Sequence, residues 1–115
     1  MPQRHTDLST LDRLFKGNRA QVVQWVQLYL EEAPGLFQRV EACLAKGDTD
    51  GLRAAAHELR PQAHYLGSAR MLELLGLIGN CAGRAGASAC TVAVGELLEL
   101  GRRITAELKA DVLGG

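Results

Sequence analysis

Leu52-Arg53-Ala54-Ala55-Ala56-His57-Glu58-Leu59-Arg60-Pro61-Gln62-Ala63-His64-Tyr65-Leu66 carries its apolar residues at helical spacing. At about 100° per residue, Leu52, Ala55, Leu59, Ala63 and Leu66 gather on one side of an α-helix. His57 falls almost opposite, with Arg53, Arg60, Pro61 and His64 within roughly 60° of it by the same arithmetic. The segment therefore buries one face and displays a histidine between two arginines on the other. Such a histidine suits carriage of a phosphoryl group better than a place in the core.

The same periodicity governs the chain on either side. A short amphipathic piece runs from about Ser9 to Phe15, with Leu8, Leu11, Leu14 and Phe15 on one face; Gly17 ends it and Asn18 can cap the next helix. Val22, Val26, Tyr29, Ala33, Leu36 or Phe37, Val40 and Leu44 then keep a three-four spacing straight through Pro34. The unbroken stripe favours one kinked helix over two abutting ones. Lys46-Gly47-Asp48 reads as a stop and then a start, with Asp48, Thr49 or Asp50 as the next N-cap. The His57 helix should end near Tyr65, and Ser68 should cap a helix from Ala69 to about Cys81. Residues 82–88 read as a small-residue loop, and a last helix spans roughly Ala89 to Val112. No segment alternates with period two.

Short loops between amphipathic helices imply an all-α fold: an antiparallel up-down four-helix bundle with a short N-terminal cap helix. A length of 115 residues suits one domain, 1–115, with residues 1–7 expected to be a flexible tail. Lys plus Arg and Asp plus Glu balance at 13 each, so no global field favours nucleic acid or an anionic membrane. Aromatic residues are scarce, which removes the stacking platforms of a single-strand binder. No apolar run resembles a signal peptide or reaches the ~18 residues of a membrane span. Cys43, Cys81 and Cys90 lack paired spacing and are expected to be reduced and partly buried. The expected setting is cytoplasmic and the expected state monomeric.

A phosphoryl-carrying histidine needs a ring nitrogen that is nucleophilic near neutral pH, and an ordinary imidazole, titrating at about 6.5, offers one. It must protrude into a partner's cleft, and cations must meet the electron-rich group it receives. Arg60 lies one turn on and Arg53 one turn back, each able to grip two oxygens. Ala54 is small enough to let a partner close over the ring. His64 shares the face but lies about 10.5 Å along the axis, too far to share a zinc ion with His57, and fits an edge contact instead. His5 belongs to the tail and receives no role. No nucleophile elbow or phosphate loop is present, so neither hydrolase nor kinase chemistry is expected of the chain itself.

Ala56-His57-Glu58-Leu59-Arg60, Leu66-Gly67-Ser68-Ala69-Arg70-Met71 and Glu73-Leu74 together resemble the signature of histidine-containing phosphotransfer (HPt) domains. The resemblance extends through Tyr29-Leu30-Glu31-Glu32-Ala33-Pro34 and Lys46-Gly47-Asp48. It implies a phosphoacceptor, His57, that shuttles a phosphoryl group between receiver-domain aspartates without kinase activity. It further implies phosphate stabilisation by Arg60, with Arg53 a possible second contact, and no cofactor or metal of the chain's own. Any Mg²⁺ is expected only in the partner receiver domain. Pro61 stands where the family usually has glycine, and it should bend or loosen the helix at the His57 carbonyl. Pro61, His64 and Ala54 are then the expected partner contacts, with the start helix around Leu11 and Phe15 a further candidate surface. The alternatives are an adaptor that docks receiver or kinase domains without chemistry, and a homodimerising structural bundle.

Overall fold

The computed structural model describes residues 4–113. Five α-helices succeed one another: α1 (Ser9–Leu14), α2 (Arg19–Lys46), α3 (Thr49–Leu66), α4 (Ala69–Ala85) and α5 (Thr91–Leu108). A 3₁₀ turn, Ala87–Cys90, leads into α5, and a π-helical turn, Lys109–Leu113, comes after it. The described residues contain no strand.

Local chemistry starts each of α2, α3 and α4 where the sequence indicated. The Asn18 side chain accepts from the Gln21 N–H, Asp48 from Gly51 and Ser68 from Met71, so three N-termini have an orphan donor satisfied. Gly47 and Gly67 close α2 and α3 in the left-handed conformation. Gly67 is also sterically required. A Cβ there would lie 2.3 Å from the Asp7 carbonyl oxygen, where the N-terminal segment crosses the α3–α4 turn.

α2 crosses Pro34 as one helix, and α3 crosses Pro61 the same way. The α3 stripe expected to be apolar is buried throughout: Leu52, Ala55, Leu59, Ala63 and Leu66, joined by Ala56. Because Leu59 and Ala63 stay buried on either side of Pro61, the helix keeps its register across the proline. α3 packs most extensively on α4, α4 on α5, and α5 returns to α2, which in turn packs on α3. The four long helices thus enclose one core, 43 × 26 × 23 Å overall, with α1 laid against α3. Phe37 of α2 presses so close to α5 that a Cβ at Gly101 would sit 2.9 Å from its ring.

Three expectations change. Residues 82–85 belong to α4 rather than to a loop, because Ala82 is buried and holds the helix one turn further into the core. The last helix begins at Thr91, after the 3₁₀ turn that contains buried Ala87 and Cys90.

Residues 4–7, expected to be loose, are tied down, whereas residues 1–3 of that tail lie outside the described residues. The His5 and Thr6 N–H groups donate to the Glu107 carboxylate at 2.8 and 3.0 Å, and the Thr6 hydroxyl donates to it as well. Arg4 pairs with Asp111 at 2.7 Å, and the Asp7 N–H donates to the Leu66 carbonyl at 2.8 Å. Partial burial pushes the Glu107 carboxyl up, but the Thr6 and His5 hydrogen bonds and the Arg4 charge outweigh it and hold it below its ordinary value.

Candidate functional site

His57 is exposed midway along α3 and stands on a ridge between two open depressions. On one side, Arg53, Ala54, His57 and Arg60 of α3 face Gly76, Gly79 and Asn80 of α4 across about 630 Å³. That space far exceeds one phosphoryl group, so it can also admit part of a partner. On the other side, His57 and Arg60 share a depression with Glu58, Pro61, His64 and Tyr65. Arg60 therefore accompanies the imidazole on both flanks, whereas Arg53 serves only the α4 side.

The two arginines are electrostatically available. Arg4, Arg39, Arg70, Arg102 and Arg103 each pair with a carboxylate, but among the described residues neither Arg53 nor Arg60 does. The Arg53 guanidinium instead lies along α4, where a Cβ on Gly83 would be 3.8 Å from it. Glu58, the carboxylate nearest His57 in sequence, is held by Arg39 of α2 at 2.6 Å. The surroundings of the ring are thus locally cationic in a chain with no net charge.

The second depression is more apolar. Pro61 and the exposed Tyr65 help line it, and Tyr65 meets Trp25 edge-on with ring centroids 5.7 Å apart. Trp25 stacks in turn on buried Tyr29 at 5.9 Å. The helix also lacks one hydrogen bond here, since Pro61 has no N–H to offer the His57 carbonyl. Among the residues expected to meet a partner, Pro61, His64 and Ala54 are exposed. Leu11 is not: it is fully buried beneath α1, and Phe15 is half-buried. The apolar residue that α1 does expose is Leu14.

Gly76, Gly79 and Asn80 are not among the residues that the sequence marks as candidates. Their signal was energetic. Glycine inside a helix costs about 1 kcal/mol relative to alanine, yet a Cβ at Gly76 or Gly79 would meet nothing within 4 Å. Packing within the chain does not require them, and both border the His57 depression.

A larger depression, about 920 Å³, lies elsewhere, between the N-terminal segment and α4 and α5. Its cations Arg4, Arg70 and Arg103 are all paired with carboxylates, so size alone does not make it the better site. Among the described residues no three His, Cys, Asp or Glu side chains gather as a metal site, and no helix is long and apolar enough to cross a membrane.

A family model for the Hpt domain matches residues 24–111. No curated protein matches the chain. Among solved structures, the chain is similar to the HPT domain from the Hpt sensor hybrid histidine kinase from Shewanella, at 14% identity. That likeness covers 92% of each chain with a TM-score of 0.79, and at this identity it is a likeness of fold.

Proposed function

The chain belongs to the Hpt domain family, and on that premise we propose that it is a phosphorelay intermediate whose phosphoacceptor is His57. A ring nitrogen of His57, Nε2 by family analogy, attacks the phosphorus of a receiver domain's aspartyl phosphate. The bond to the aspartate oxygen breaks as the bond to nitrogen forms, and a second receiver aspartate later reverses the exchange. Arg60 stabilises the equatorial oxygens of the transferring group, and Arg53 assists from the α4 side. The observation that carries this reading is the pair of arginines left without carboxylates on either side of an exposed histidine. The chain supplies no catalyst of its own for ATP cleavage, and Mg²⁺ enters with the receiver.

The finer arrangement rests on the same premise: an antiparallel up-and-down four-helix bundle, 1–115, monomeric and cytoplasmic. Receiver domains are the partners, contacting Pro61, His64 and Ala54 around the ring. Pro61 favours a second reading, an adaptor that docks a receiver without chemistry. The unbroken register of α3 across Pro61 supports the transferring form.

Mixing the protein with a phosphorylated receiver and measuring acid-labile, base-stable phosphate on this chain distinguishes the two. Transfer requires label on wild type and none on His57→Gln. Label that persists on His57→Gln removes His57 from the mechanism, and binding without label establishes the adaptor.

A further inference from the structure

Away from His57, two thiols converge where α4 gives way to α5. Cys81, half-buried on α4, donates its S–H to the Ala89 carbonyl at 3.3 Å. Cys90, buried in the 3₁₀ turn, aims its thiol back at the carbonyls of Ile78 and Gly86, at 3.7 and 3.8 Å. Each sulfur thus lies against the other's segment. The third cysteine, Cys43, is on α2.

We propose that Cys81 and Cys90 are a redox modification site, oxidised by hydrogen peroxide to an intramolecular disulfide that ties the end of α4 to the turn before α5. The reaction proceeds in two balanced steps. The Cys81 sulfur attacks one peroxide oxygen, the O–O bond breaks, and the departing hydroxide takes the thiol proton as water. Cys81 is then a sulfenic acid, oxidised by two electrons, and the peroxide is reduced. The Cys90 sulfur next attacks the Cys81 sulfur. The S–S bond forms, the S–O bond breaks, and hydroxide leaves with the Cys90 proton as a second water.

The environments assign the order. Burial, together with contact with Cys81, pushes the Cys90 thiol up to about 11, so at neutral pH it is protonated and shielded. Cys81 has the solvent access and meets peroxide first. Cys90 is the resolving thiol, already in place when the sulfenic acid forms. The proposal does not depend on phosphoryl transfer by His57. It would, however, place a covalent tie one residue beyond Asn80, which borders the His57 depression.

Intact-mass analysis of the reduced, full-length protein after treatment with hydrogen peroxide tests this. The expected product has lost the mass of two hydrogen atoms and regains it with dithiothreitol. Peptide mapping joins Cys81 to Cys90 and leaves Cys43 open to alkylation. Cys90→Ser halts the reaction at a Cys81 sulfenic acid that dimedone captures, and Cys81→Ser leaves Cys90 unmodified at the same dose. The wild-type measurement stands whether or not either variant folds. A protein that only gains oxygen atoms, or whose disulfide includes Cys43, overturns the proposal.

Discussion

Arg39 Nη1 lies 2.6 Å from Glu58 Oε2, so a cation from α2 holds the carboxylate adjacent to His57. Left free, that carboxylate would repel an incoming phosphoryl group. Both side chains are exposed and screened by salt. Arg39→Ala is therefore expected to slow phosphoryl transfer to His57 by only about twofold, at low ionic strength. Glu58→Gln in the same background should restore the rate. Failure of the second substitution to compensate would show that Arg39 acts through something other than charge.

Arg60 flanks His57 on both sides of the ridge and Arg53 on one, so their removal should be unequal. Arg60→Ala is expected to lower the transfer rate at least about tenfold, the scale on which donors to a developing charge act. Arg53→Ala should cost less, and Arg60→Lys should retain part of the rate by keeping the charge without the fork. Rapid-quench measurement of label on His57 gives all three values.

Gly76→Ala and Gly79→Ala should each stabilise the fold by about 0.5–1 kcal/mol, because a helical alanine replaces glycine without a clash. If the His57 depression receives the partner, the bulkier Gly79→Leu should still melt cooperatively yet transfer phosphate poorly. Thermal melts and transfer assays on the same preparations separate the two effects, and unimpaired transfer by Gly79→Leu would falsify a role for that depression.

Glu107 links acidity to the N-terminal segment. Its carboxyl is held below the ordinary 4.5, so the stability it contributes is present above that value and is lost as pH falls through its lower folded pKa. Hydrogen exchange at the His5 and Thr6 amides should lose protection on acidification below about pH 4.5. Glu107→Gln should show weak protection already at neutral pH.

Among the described residues the Tyr29 hydroxyl is buried without a hydrogen-bond partner, and burial pushes its pKa up. Leaving such a group unpaired costs roughly 1–3 kcal/mol, so Tyr29→Phe should be neutral or stabilising, by up to about 1 kcal/mol, while keeping the stack on Trp25. A clear loss of stability on chemical denaturation would mean that the hydroxyl has a partner.

The features legible in the sequence were local. Asn18, Asp48 and Ser68 each cap the helix they announce, and the stripe from Leu52 to Leu66 fixes which way His57 points. The features that escaped depend on residues distant in sequence. The tie between His5 and Glu107 spans 102 positions and has no local signature. Leu11 reads as available on its own helix, but it is fully buried where α1 packs into the fold. The extension of α4 to Ala85 runs against its glycine content and reflects the burial of Ala82. Gly76 and Gly79 became informative only through the open space around them.

Pro61 acts on recognition by subtraction. The His57 carbonyl receives no N–H from position 61, where a glycine would supply one. A partner that closes over the ring must either bring a donor to that oxygen or bury it unmet, at a cost of roughly 1–3 kcal/mol. Two receivers identical in their acidic clefts, but differing in one donor at that rim, would then differ about tenfold or more in affinity for this chain. If receivers dock over His57, the proline would give the surface a means of discriminating among otherwise equivalent partners.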